Sequence, residues 1–147
     1  MIPFAKPIRA AIGALNAVPY DVIAVICRAA TFSVFFRSGL VKISDWSATL
    51  MLFQNEYHVP VLPPGVAAVI AACNELGVST LVLLGAFTRL GALVLLGMVS
   101  VIQIFVYPTA WPDHIQWLAF MSVLILRGPG RLSLDALIGP RLVGEPA

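Results

Sequence analysis

The sequence predicts an all-α integral membrane protein, a bundle of four transmembrane helices with an amphipathic or re-entrant outer segment between the first and second. Three observations predict it. The 147 residues are 60% hydrophobic and 11% charged, with a mean hydropathy of +0.96, whereas a soluble domain carries about 25% charged residues. The apolar residues fall in runs close to the roughly 20 needed to cross a hydrocarbon core of about 30 Å. The few lysines and arginines gather at one set of run ends. This length holds one domain, the lipid bilayer is its first partner, and a net charge of +2 is too small to imply nucleic acid.

Residues 1–19 contain Lys6, Arg9 and three prolines. The apolar run that follows is too long for a signal-peptide core and is interrupted by Arg28, so the segment reads as an uncleaved arm along the membrane surface. The first span is Tyr20–Leu40. The outer segment, Val41–Pro64, is too polar to span and too apolar for a free loop. Ser44 or Asp45 suits the N-cap of a short helix on which Trp46, Leu50, Phe53 and Tyr57 recur at helical spacing. That helix either anchors in the interface or folds over the bundle mouth, and His58 with the prolines at 60, 63 and 64 returns the chain to the membrane.

The second and third spans, about Gly65–Phe87 and Leu90–Tyr107, form a tight hairpin around Thr88 and Arg89. Trp111–Arg127 is the shorter fourth span, with Pro112 in its first turn and Asp113 complementing the positive helix end. Residues 128–147 form a tail. With four spans, one face holds Lys6, Arg9, Arg89, Arg127, Arg131 and Arg141, and the other only Arg37 and Lys42. Basic residues are retained on the cytoplasmic side, so both termini are expected there. Tyr107, Trp111 and Trp117 mark the outer interface.

Ionisable residues within a span are costly and face the bundle interior. The first span carries Asp21, Ala24, Arg28, Thr31, Phe35 and Ser38 on one stripe. The second offers Ala68, Ala71, Glu75, Val78, Val82 and Gly85, and the third Ser100, Gln103 and Tyr107. Arg28 lies twelve residues below Leu40, about 18 Å, and Glu75 eleven beyond Pro64, about 17 Å. An Arg28–Glu75 ion pair near mid-bilayer follows, either fixing which helix faces meet or forming a polar site for a headgroup or proton. Cys27 and Cys73 are near enough in depth to approach one another but form no redox motif. His58 and His114 lack zinc or haem spacing. Asp113 with His114 is the candidate proton relay or metal pair, although helix-start chemistry accounts for both residues.

Arg28, then Phe35, Gly39 and Lys42 as F-x-x-x-G-x-x-K, then Asn74-Glu75-Leu76-Gly77, Leu84-Gly85, Thr88-Arg89 and the ending Gly128-Pro129-Gly130-Arg131-Leu132-Ser133-Leu134-Asp135 occur in that order. The set resembles the DoxX family of small four-helix membrane proteins, over about Arg28 to Leu137. Phe32 departs from it, standing where a glycine is expected. The resemblance implies a bacterial inner-membrane subunit of a quinone-linked redox system, with a redox enzyme or a metal-handling protein as partner, and a second copy of the chain as a further candidate. Quinone is then the ligand to expect, with Arg28 and Glu75 at the polar end of its pocket, Gln103 or Tyr107 bonding a carbonyl, and Lys42 and Arg89 as further pocket candidates. No flavin, haem or iron–sulfur motif and no metal set is present, so no intrinsic cofactor is expected and electrons would come from the partner. A non-catalytic scaffold and a small transporter or proton path from Glu75 towards Asp113 and His114 remain as alternative readings.

Overall fold

The computed structural model describes residues 5–57 and 59–143, and is helical with no strand among them. Helix α1, Ala5–Asn16, is exposed from Lys6 onwards and carries Ile8, Ile12 and Leu15 on one stripe, the pattern of a helix lying in an interface. The remaining helices are α2 (Tyr20–Ser44), α3 (Trp46–Asn55), α4 (Pro64–Leu84), α5 (Thr88–Val106), α6 (Trp111–Arg127) and α7 (Leu134–Val143). Three of them, α2, α4 and α5, are long and apolar enough to cross a membrane. The 17-residue α6 packs along α2 and α5. The expected turn of the chain at His58 lies outside the described residues.

Helix α2 runs four residues beyond its expected end at Leu40. Lys42 suggests a span end in the sequence, but its charge is matched across the bundle, so the helix need not stop there. It stops at Asp45, whose carboxylate accepts the Ala48 amide at 2.9 Å and the Ser47 hydroxyl at 2.7 Å and so caps α3, as expected. Those two bonds hold the Asp45 carboxyl below its ordinary pKa. Helix α3 then packs on α4, with Phe53, Ala67 and Ala68 buried between Leu50, Tyr57, Val59 and Ala71. Its other face keeps Met51 and Leu52 exposed, so the segment packs on the bundle by one face and leaves apolar side chains on the other.

The main core lies between α2, α4, α5 and α6 and contains Phe35, Val82, Leu95, Val99, Met121 and Leu124. The inward stripe of α2 is Ala24, Arg28, Thr31 and Phe35, as the spacing predicts, with Asp21 and Ser38 half-buried at its ends. In α5 the stripe differs from expectation. Ser100 is exposed and bonds its own Leu96 carbonyl, while Thr88, Ala92, Leu95 and Val99 face inward. A serine satisfied by its own helix needs no place in the bundle interior. Phe32, half-buried, stacks on Phe36 with ring centroids 4.5 Å apart.

Two helices contain a π-helical turn: Asn74–Val78 in α4 and Ile102–Val106 in α5. Such single wide turns occur mostly at functional sites. Here one carries Glu75 and the other Gln103.

Candidate functional site

Glycine at position 39 begins the construction. A Cβ there would stand 2.7 Å from the Leu76 side chain and 3.0 Å from the Glu75 Cβ. Only the missing side chain lets α4 approach α2 this closely. The approach sets Glu75 beside Ser38 and Lys42. Lys42 Nζ donates to Glu75 Oε1 at 2.8 Å and to Ser38 Oγ at 3.0 Å, and Ser38 Oγ donates to the same carboxylate oxygen at 3.1 Å. The Glu75 and Lys42 side chains are 4% and 17% exposed. Glu75 Oε2 is buried with no hydrogen-bond partner among the described residues. The Ser79 hydroxyl bonds back to the Glu75 carbonyl, fastening the wide turn from behind.

Glu75 and Lys42 line a cavity of about 580 Å³ in the half of the bundle that carries α3 and the α5–α6 loop. Arg37, Ser38 and Asn74 join them at its polar wall; Phe35, Ile70, Val94 and Met98 are among its apolar residues. His114 and Trp117 of α6 line it as well, their rings 4.8 Å apart. His114 is 3% exposed, and its Nδ1 is 2.6 Å from Gln103 Oε1. Gln103 itself is held by donating from Nε2 to the Pro108 carbonyl at 2.7 Å.

Tyr57 and Tyr107 also border this chamber, their rings edge to face at 5.6 Å. The Tyr107 hydroxyl is 3.1 Å from the Tyr57 hydroxyl and 3.1 Å from Glu56 Oε1. Hydrogen bonding to Tyr57, then burial and the Glu56 carboxylate, push the Tyr107 phenol well above its ordinary pKa. α3 thus provides a cover fastened to the start of the α5–α6 loop.

The Arg28–Glu75 ion pair expected from depth does not form. Arg28 Nη1 donates to the Leu83 carbonyl at 3.1 Å and Nη2 to the Leu132 carbonyl at 2.5 Å, at the other end of the bundle. Depth counts Cα positions, but helical side chains lean towards their own N-terminus. Because α2 and α4 are antiparallel, Arg28 and Glu75 lean in opposite directions, and Glu75 meets Lys42 instead. Gly85, at φ 73°, keeps the space clear, since a Cβ there would stand 2.5 Å from Arg28 Nη1.

The other candidates divide between the two ends. Tyr107, Lys42 and His114 are at the cavity. Gln103 lies behind it, acting on His114 rather than lining the wall. Asp113 is exposed and is not the partner of His114 Nδ1. No cluster of three metal-ligating side chains occurs among the described residues. Arg89 is exposed beside Gly128 at the opposite end, far from the Lys42–Glu75 wall in the fold. Cys27 is buried, Cys73 is exposed, and both are free. Arg37, Tyr57 and Trp117 were not foreseen as lining residues. The sequence places Arg37 and Trp117 at the outer surface, but each shares a helix face with residues of the site: Arg37 with Val34 and Val41, three before and four after it, and Trp117 with His114, three before it.

The glycine-rich ending has its own work at the far end. Asp135 accepts the Phe87 and Thr88 amides at 2.7 and 2.9 Å and so caps α5 from a distance. Its own amide donates to the Gly85 carbonyl at 2.8 Å. Arg131 N donates to Asp21 at 2.6 Å, and Tyr20 donates to the Gly128 carbonyl at 2.6 Å. This ties the ends of α2, α4 and α5 to the segment after α6.

No curated protein and no solved structure matches the chain. The DoxX family model matches residues 23–108, from the start of α2 through α5 and into the following loop. That stretch is more than half of the chain and contains Gly39, Lys42, Glu75 and Gln103. With its all-helical fold and three membrane-length apolar helices, the protein is a member of the DoxX family.

Proposed function

We propose that this protein is a bacterial inner-membrane subunit of a redox system, and that its cavity holds a quinone whose electrons are exchanged with a protein partner. The observation that carries the proposal is the Lys42–Glu75 pair, an ion pair set in the wall of a largely apolar chamber. Buried charges among membrane helices are expensive and characteristically functional. A ring with polar oxygens would meet Lys42 or Arg37, while an isoprenoid tail would lie along the apolar side. Both termini would be cytoplasmic, in keeping with Arg89, Arg127 and Arg131 at that end. The partner would be the electron carrier, a redox enzyme or a metal-handling protein.

Trp117 lines the cavity and provides the test. A short-tailed quinone titrated into the purified protein is expected to quench tryptophan fluorescence saturably, with the effect lost in Trp117→Phe. No saturable quenching would favour the scaffold reading. Copurification from native membranes in mild detergent tests the partner, with a flavin, haem or copper protein expected in stoichiometric amount.

A proton path is the second reading, favoured by Glu75 and His114 lining one cavity. It requires proton flux in sealed vesicles that Glu75→Gln abolishes, with no quinone present.

A further inference from the structure

The hydrogen bonds behind the cavity wall decide what His114 offers to a ligand. The Pro108 carbonyl can only accept. The Gln103 group 2.7 Å from it must therefore be the amide NH₂, which leaves Gln103 Oε1 facing the imidazole. That oxygen also only accepts, so the His114 Nδ1 2.6 Å away must carry a hydrogen. In the neutral ring the second nitrogen, Nε2, is then bare and presents a lone pair. It has no hydrogen-bond partner among the described residues, and His114 lines the cavity.

The cavity wall at Lys42 differs in character. Lys42 and Arg37 bring donor groups to the cavity and no free lone pair of their own. A carbonyl oxygen is satisfied by Lys42 or Arg37 but faces a lone pair at His114. A phenolic hydroxyl both donates and accepts, so it is satisfied at either wall.

Resting on the quinone reading above, we infer that the site prefers the hydroquinone to the quinone of the same skeleton, with a phenolic hydroxyl donating to His114 Nε2. Gln103 is the positioning residue for this preference. It does not line the cavity, and acts by fixing which imidazole nitrogen is bare.

The test uses the full chain in lipid nanodiscs under argon, with a singly prenylated benzoquinone and its hydroquinone as probes in equilibrium binding. The wild type is expected to bind the hydroquinone roughly 5- to 10-fold more tightly, the worth of one buried hydrogen bond. Gln103→Met should bring the ratio to about 1 by raising quinone affinity towards that of the hydroquinone, since a thioether is too weak an acceptor to impose the tautomer and the freed ring can turn an Nε2–H to a carbonyl. A merely structural Gln103 would weaken both probes together. Equal affinities in the wild type would overturn the inference and leave the quinone site standing. Binding of neither probe would overturn the quinone reading, and the hydroquinone preference with it. The tautomer is read without any ligand by ¹⁵N-histidine NMR, with His114→Phe assigning the signal. A hydrogen on Nε2 in the neutral ring would overturn the inference whatever the probes do.

Discussion

Lys42 and Glu75 illustrate how a membrane core tolerates full charges: at 2.8 Å, each offsets much of the other's desolvation. Lys42→Met is expected to strand the Glu75 charge and destabilise the fold by roughly 3–5 kcal/mol, while adding Glu75→Leu recovers most of that loss. Unfolding in a fixed detergent measures both. In the same assay Arg28→Ala and Glu75→Ala should be additive within about 0.5 kcal/mol, because they share no partner. At the cover, Tyr107 holds its proton more tightly in the folded state than its ordinary value of 10.0 allows. Its contribution is therefore complete below that pH and is lost as pH rises through it towards the raised value. The alkaline fall in unfolding midpoint should be smaller in Tyr107→Phe. The sequence revealed both ionisable residues, since a charge in an apolar run stands out. Their partners were hidden because axial position alone ignores the lean of the side chain.

At the scale of helices, legibility followed the range of the interaction. The Asp45 cap and the Phe53 face of α3 were readable because all their parts lie within a few residues. The π-helical turns were not, because Asn-Glu-Leu-Gly-Val and Ile-Gln-Ile-Phe-Val carry no local marker of a widened backbone. Ser79 helps hold the first of these turns, and it is fully buried. Ser79→Ala should cost about 1 kcal/mol and loosen the hold of Glu75 on Lys42, seen as faster amide exchange around Glu75. The α5 cap was equally hidden, since its carboxylate lies 47 and 48 positions from the amides it accepts. Asp135→Ala should destabilise by about 1–2 kcal/mol, the range of a lost N-cap, with Asp135→Asn losing less. Thermal unfolding of the two variants in parallel checks the order.

For the whole molecule, composition alone revealed the fold class, because an exterior this apolar has no soluble solution. Val22, Ile26, Val69, Leu93 and Ile104 all remain exposed on the spans. The location of the site was less legible, because the cavity draws on five helices and no single segment announces it. Its cover was one of two readings that the outer segment left open. Orientation is a whole-molecule prediction too. In intact cells, a membrane-impermeant maleimide should label Thr109→Cys but label Arg131→Cys only after permeabilisation. The reverse pattern would invert the proposed topology.

The remote cap on α5 has a consequence for how the chain is made. A nascent chain that has delivered α2, α4, α5 and α6 to the membrane still lacks Asp135, and with it the acceptors for the Phe87 and Thr88 amides. Until Leu132 arrives, Arg28 is also short of one of its two carbonyls. The hairpin between α4 and α5 therefore remains unfinished until synthesis has passed the last helix of the bundle. Delivery of residues 132–135 and closure of the bundle become one event, and a product halted before residue 132 leaves both Arg28 and the start of α5 short of their acceptors.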